Sequence, residues 1–198
     1  VSAINKIVSA CLVRQISELS LFAFSSENWN RPDYEVQFLL KLFEDSINKY
    51  VDDLHSNNVR IEFIGNLESF SPKLLKNISQ AENMTRDNTG LKLNFAINYG
   101  GQWDIVNAVN NMLDDIDFSL QTKKISAADF KKYLSLQGNS PDLLIRTAGE
   151  QRLSNFMLWQ MAYTEIFFLD KLWPDFTQID LKKIINKFHK IKRNFGGI

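Results

Sequence analysis

The chain has 198 residues, 44% of them apolar, with 23 Lys plus Arg against 23 Asp plus Glu, so its formal net charge is zero. That length allows one domain with a sizeable core, and the neutral balance argues against a general nucleic-acid binder, which carries a basic excess. No apolar run approaches the roughly 20 residues that span a bilayer, and the single cysteine, Cys11, cannot form an internal disulfide, which fits a reducing, cytoplasmic setting.

The predicted elements alternate. Ile4, Ile7, Val8, Cys11 and Leu12 recur at helical spacing and predict an amphipathic helix over 2–16. Residues 18–24 read as a buried strand. A polar loop follows, Ser25-Ser-Glu-Asn-Trp-Asn-Arg-Pro32. Apolar residues from Val36 to Leu54 keep a period near 3.6 and mark a long helix; Val59 to Ile64 reads as a strand ending at Gly65. Ser71-Pro72 opens a helix that runs to about Asp87. Leu91 to Ile97 is a strand, Asn98-Tyr-Gly-Gly101 a tight loop, and Trp103 to Ile116 the next helix. Ser126 to Asp129 resembles a capping box. Asp142 to Thr147 is strand plus loop, Asn155 to Met161 is read as helical, Glu165 to Phe168 as a short strand, and Asp180 to about Arg193 as the last helix. Strands alternating with helices give one α/β domain over residues 1–198, with a single, mostly parallel sheet covered by helices.

Two polar loops follow strands, and open α/β sheets bind ligands at the carboxyl ends of their strands. The first carries Arg31, the second, Arg146-Thr-Ala-Gly-Glu-Gln-Arg-Leu-Ser154, carries Arg146 and Arg152. Guanidinium groups take phosphate oxygens bidentately, so three of them could hold a diphosphate; ordinary surface ion pairs are the plain alternative. Ser154 and the N–H groups around Asn155 and Phe156 read as a helix start, a natural phosphate seat. Glu165 needs a partner, either Mg²⁺ or an arginine. Asn28 can orient a water or a proton but is no strong base, and Trp29 either covers an intermediate or packs the loop down. Gly100 and Gly101 could let the backbone approach a ligand, with a simple turn as the plainer reading, and Cys11 reads as a buried, inert thiol. His55 and His189 read as surface residues without metal-ligand spacing.

Five ordered segments go further: Ser25 to Pro32, Asn98-Tyr-Gly-Gly-Gln-Trp-Asp104, Arg146 to Phe156, Trp159-Gln-Met-Ala-Tyr-Thr-Glu165 and Leu172-Trp-Pro-Asp-Phe176. Together they resemble the cis-prenyltransferase family, in particular its bacterial undecaprenyl diphosphate synthases. The resemblance implies a Mg²⁺-dependent transferase that adds isopentenyl diphosphate to farnesyl diphosphate with cis double bonds, giving a lipid carrier for cell-wall synthesis. It implies that Ser25, Ser26, Glu27, Trp29 and Arg31 line the substrate site and that Asn28 accepts the proton. Arg146, Arg152, Leu153 and Ser154 would bind isopentenyl diphosphate, and Glu165 the metal. It also implies a homodimer, with the tail from Lys192 to Gly197 reaching toward the partner's site, and peripheral membrane contact for product release. An apolar tunnel is expected, with Phe38, Phe43, Tyr50, Phe63 and Phe95 as wall residues.

Two departures stand out. The family's Asp-Gly-Asn-Gly-Arg-Trp loop does not occur in these residues, so the chain is expected to be part of a longer enzyme and inactive by itself. A non-catalytic dimer partner of the same fold and an unrelated phosphate-binding α/β enzyme, such as a small-molecule kinase or phosphatase, are the competing readings. And the arginine loop has Ala148 and Gln151 where the family commonly has glycine and histidine. Gln151 is a poor metal ligand, while Ala148 is acceptable provided the backbone there avoids a positive φ.

Overall fold

The computed structural model describes residues 2–115 and 124–194, and the chain forms two compact units. One comprises residues 17–138 and 155–157, the other residues 1–16, 139–154 and 158–198. Ile116, expected to close a helix, and Phe195, Gly196 and Gly197 of the tail lie outside the described residues.

The first unit is built on a three-stranded parallel sheet in the order β1-β3-β2, where β1 is Glu18–Ser25, β2 Arg60–Ile64 and β3 Lys92–Tyr99. Parallel neighbours need crossovers, and the helices α2 (Asp33–Ser56) and α3 (Pro72–Thr85) supply them. The central strand is the most buried: Leu93, Ala96 and Tyr99 are fully enclosed, and Ile97 nearly so. Strand β2 is an edge whose outward N–H groups are capped by α3. Ile61 N–H donates to Thr85 Oγ1 at 3.1 Å, and Phe63 N–H to Glu82 Oε1 at 2.9 Å. That covering removes the unpaired donors that make bare edges prone to association.

Helix α3 begins as its sequence signals. Ser71 Oγ accepts the Leu74 N–H at 3.2 Å, and Pro72 takes the first helical position. Helix α4 (Gly101–Asp114) packs Ala108 and Met112 against Phe130 and Leu134 of the segment holding α5 (Ala127–Lys131). The predicted capping box is present at Ser126, whose Oγ accepts the Asp129 N–H at 3.2 Å. Buried Asp104 is satisfied by the Tyr99 hydroxyl and the Ser135 N–H, each at 2.8 Å.

The second unit holds β4 (Leu143–Arg146) and β5 (Glu165–Phe168), also parallel. It also holds α1 (Ser2–Val13), which packs on α6 (Gln178–Phe188). Ile7, Val8 and Cys11 of α1 and Leu181 and Ile184 of α6 are buried, and Gln178 Nε2 donates to the Lys6 carbonyl at 2.9 Å. Burial pushes the Cys11 thiol up to about 11, Arg14 offsetting little of it, so it is an inert core residue as expected.

All described strands pair in parallel, but their ladders fall into a three-stranded and a two-stranded group where the sequence reading has one sheet. One expected helix does not form. Residues 155–161 run as turns, because Ser154, Asn155 and Met157 have φ of 48°, 58° and 43°, which a right-handed helix cannot contain.

Candidate active site

The loop leaving β1 forms a short 3₁₀ turn, Ser26–Asn30. Asn28 closes it locally: its Oδ1 accepts the Ser25 N–H at 2.8 Å. Trp29 is held from outside the turn. Its Nε1–H donates to Asn98 Oδ1 at 2.8 Å, and its ring meets Phe24 edge-on at 5.4 Å and Phe70 at 6.2 Å. The indole still exposes 37% of its surface, so it is both a packing residue and one open face of the loop.

Asn98, buried at the end of β3, sits at φ 45°, a conformation that asparagine tolerates better than most residues. Its Nδ2 donates to the Asn66 carbonyl at 2.7 Å, and its own carbonyl accepts the Asn66 N–H at 3.1 Å. One side chain thus ties the ends of β2 and β3 to Trp29. Glu27 is held similarly, its Oε1 accepting from Asn155 Nδ2 at 2.6 Å and its Oε2 from Ser26 Oγ at 3.1 Å. Burial pushes the Glu27 carboxyl up, but the bonds from Asn155, its own backbone, Ser26 and Ser25 together outweigh that and hold it below its ordinary value.

Gly100 is more than a turn residue. A Cβ there would lie 2.5 Å from Ser26 Oγ and 2.7 Å from Asn155 Nδ2. The glycine is needed for close approach of protein to protein, at an ordinary extended φ of −149°. Arg31 ends this loop, exposed, with Glu35 Oε2 at 3.5 Å.

In the other unit, the loop after β4 curls back over its first residue. Arg146 Nη1 donates to the Arg152 carbonyl at 2.5 Å and to Ser154 Oγ at 2.7 Å. Arg152 pairs with Glu150, and Leu153 is half-buried. Ala148 N–H donates to the Lys171 carbonyl at 2.9 Å and Gly149 N–H to that of Leu169 at 2.8 Å, so the loop is pinned along the segment after β5. Ala148 has φ 72° and Gly149 φ 75°, so the expectation that Ala148 avoids a positive φ is overturned. Ser154, at φ 48°, is no helix cap. The phosphate seat expected there reduces to a hydroxyl beside a guanidinium.

Glu165 opens β5 with Arg193 Nε 3.9 Å away, the arginine partner that the sequence allowed. Arg193 also donates to Asp142 Oδ1 at 2.5 Å and to the Tyr163 carbonyl at 3.0 Å. Among the described residues no group of three or more His, Cys, Asp or Glu could hold a metal. Glu165 is nonetheless a partly exposed oxygen donor, and Mg²⁺ is commonly held by one or two carboxylates with substrate phosphates completing its shell. The residues therefore fit a metal brought with a diphosphate rather than a resident cage. His55 and His189 are exposed at helix ends, as expected.

Ser25, Ser26, Glu27, Asn28, Trp29 and Arg31 are thus gathered on one loop, and Arg146, Arg152, Leu153, Ser154 and Glu165 in the other unit. Asn98 and Asn155, as side chains that position the first group, were not singled out by the sequence. Only the positive φ of each hints at it, and that is invisible before folding.

The family model described as "Putative undecaprenyl diphosphate synthase" matches residues 1–196. The chain belongs to this family. It is 46% identical over 198 residues to the ditrans,polycis-undecaprenyl-diphosphate synthase ((2E,6E)-farnesyl-diphosphate specific) of Legionella pneumophila strain Paris, covering 99% of this chain and 83% of that protein. The enzyme of the same name from Coxiella burnetii is 46% identical over 195 residues, covering 98% and 82%. Among solved structures, a probable undecaprenyl diphosphate synthase from Campylobacter jejuni superposes with a TM-score of 0.90 at 33% identity, covering 99% of this chain and 91% of that one. Lavandulyl diphosphate synthase from Lavandula x intermedia, in complex with dimethylallyl diphosphate, gives 0.93 at 35%, covering 99% and 87%. The α/β fold with parallel strands flanked by helices is that of this family. Among the described residues no helix is long and apolar enough to cross a membrane.

Proposed function

We propose that the protein condenses isopentenyl diphosphate onto farnesyl diphosphate with cis double-bond formation, giving undecaprenyl diphosphate, and that its two units act as one prenyltransferase domain. The observation that carries this is the likeness to undecaprenyl-diphosphate synthases at 46% identity across 99% of the chain, with both polar loops built around chemistry suited to a diphosphate. Arg146 binds the diphosphate of isopentenyl diphosphate, with Ser154 Oγ, 2.7 Å from its guanidinium, as a neighbouring donor. Arg152 and Arg31 are exposed cations suited to diphosphate oxygens, and half-buried Leu153 completes the substrate-binding set. Ser25, Ser26 and Glu27 shape the loop that presents Asn28 and Trp29. Asn28 receives or relays the proton lost from isopentenyl diphosphate, and the open face of Trp29 shields positive charge on the allylic carbon.

Mg²⁺ would be held by Glu165 together with diphosphate oxygens, and when bound it neutralises charge on the departing diphosphate. The product chain lies along α2. That helix buries only Val36 and Leu54 fully, while Leu39, Leu40, Phe43, Ile47, Tyr50 and Val51 stay half-buried, a wide apolar face left partly open. Phe43, Phe63 and Phe95 form an aromatic group with centroids 5.5–6.1 Å apart. Tyr50 joins that wall. Phe38, 66% exposed, is its weakest member. A homodimer and peripheral membrane contact belong to the same proposal, supported by exposed Ile166 and Phe168 on β5.

The test is incorporation of labelled isopentenyl diphosphate by the native enzyme with farnesyl diphosphate and Mg²⁺. A product of undecaprenyl length is expected, and absence of any chain extension overturns the reading. Light scattering checks the dimer.

A further inference from the structure

Asn155 makes three contacts, one through its backbone carbonyl and two through its side-chain amide. Its carbonyl accepts the Gly101 N–H at 2.6 Å, its Oδ1 accepts the Gln102 N–H at 2.9 Å, and its Nδ2 donates to Glu27 Oε1 at 2.6 Å. The first two satisfy the start of α4, where the N-cap is Gly100 and has no side chain to offer. The third fixes a carboxylate in the loop that carries Asn28 and Trp29. Its φ of 58° suits asparagine, and the aromatic side chain that follows it, Phe156, stacks on Phe22 of β1 at 4.5 Å. Gly100 permits the whole arrangement by leaving room for Ser26 Oγ and Asn155 Nδ2.

We propose that Asn155 is a positioning residue for prenyl transfer, acting through Glu27: its amide clamps the Ser26–Asn30 turn to the head of α4 and so sets Asn28 and Trp29 for the reaction. The proposal rests on the functional reading above. It accounts for a residue that touches no reacting atom yet joins Glu27 of this loop to the first N–H groups of α4. A carboxylate in its place would keep the bond from Gln102 and meet Glu27 with like charge at hydrogen-bonding distance. An amide side chain at position 27 would then restore the link with donor and acceptor exchanged, its NH₂ group donating to the new carboxylate.

The experiment compares the native enzyme, Asn155→Asp, and the double variant Glu27→Gln with Asn155→Asp. Each is labelled with 5-fluorotryptophan, the Trp29 ¹⁹F resonance being assigned with Trp29→Phe. Asn155→Asp is expected to move or broaden the Trp29 resonance and to lower kcat about 10- to 100-fold, the scale of one lost charge-assisted bond plus repulsion, with KM for isopentenyl diphosphate little changed. The double variant is expected to return the resonance toward its native position, kcat following only as far as an amide at position 27 serves the substrate site. An unmoved resonance or a native kcat in Asn155→Asp overturns the proposal, as does a double variant whose resonance stays displaced. Should the native enzyme extend no prenyl chain, the functional reading fails, while the fluorine spectra still decide whether Asn155 sets the loop.

Discussion

The loop after β1 and the loop after β4 are secured by different means. The first is held by side chains: Asn28, Asn98 and Asn155 each place a 2.6–2.8 Å hydrogen bond on it, and its turn has no residue with positive φ between Ser25 and Arg31. The second is held by its backbone and by Arg146, and it winds through positive φ at Ala148, Gly149 and Ser154. A loop fixed by neutral amides has its Glu27 carboxylate and its Trp29 N–H engaged within the protein and leaves one face of the indole open. A loop that folds over its own arginine fixes that guanidinium through the Arg152 carbonyl and Ser154 Oγ, so the anion binding proposed for Arg146 would be coupled to loop shape.

That contrast can be broken at Arg146 first. Arg146→Ala removes both the proposed diphosphate anchor and the bonds that curl the loop. Steady-state kinetics should show kcat/KM for isopentenyl diphosphate falling ~10²-fold or more, mostly through KM, from the loss of charge-assisted bonds of ~1.5–3 kcal/mol each. Arg152→Ala, at an exposed residue paired with Glu150, should cost about tenfold by the same measure. Equal losses at the two positions would mean that the curl is not what aims the anchor.

Gly100→Ala strikes the other loop. Its Cβ would meet Ser26 Oγ at 2.5 Å and Asn155 Nδ2 at 2.7 Å, so overpacking of ~1–3 kcal/mol is expected in denaturant titration, with a disproportionate drop in kcat. A smaller effect, of opposite sign, is expected at Ala148→Gly. Relieving an alanine at φ 72° should raise stability by ~0.5–1 kcal/mol, read as a higher denaturation midpoint at unchanged slope. Destabilisation there would show that the arginine loop does not hold this conformation in solution.

The finest distinction is in pH. Glu27 titrates below its ordinary value when folded, so the stabilisation it supplies is complete above the unfolded carboxyl value near ~4.3 and fades as pH falls through the lower folded value. Carboxyl carbon NMR should therefore place Glu27 below the ordinary glutamate range, and the Trp29 fluorine signal should shift only at the acid end. A Glu27 that titrates normally would sever it from Asn155.

Most of the fold was legible because its signals are local. The 3.6 period of α2, the Ser71-Pro72 start of α3, the capping box at Ser126 and the apolar run of β3 each depend on residues a few positions apart, and all appear where expected. The residues proposed for diphosphate chemistry were legible as positions after strands, but their residue types alone left ordinary ion pairs open, and the roles came from the family resemblance. What misled was the stretch after Ser154. Its apolar composition reads as a helix, while its backbone turns through positive φ at Asn155 and Met157, as it does at Ser154 just before.

The sequence by itself determined the parallel α/β plan and the chemical inventory of the two polar loops, because both are written in side-chain type and spacing. Only tertiary structure decided that Asn98 and Asn155 hold Trp29 and Glu27, across 69 and 128 residues of chain, and that Gly100 serves packing rather than turning. A hydrogen bond between residues so far apart has no local signature. It depends on where parallel strands bring their ends, and that is fixed only when the sheet is built.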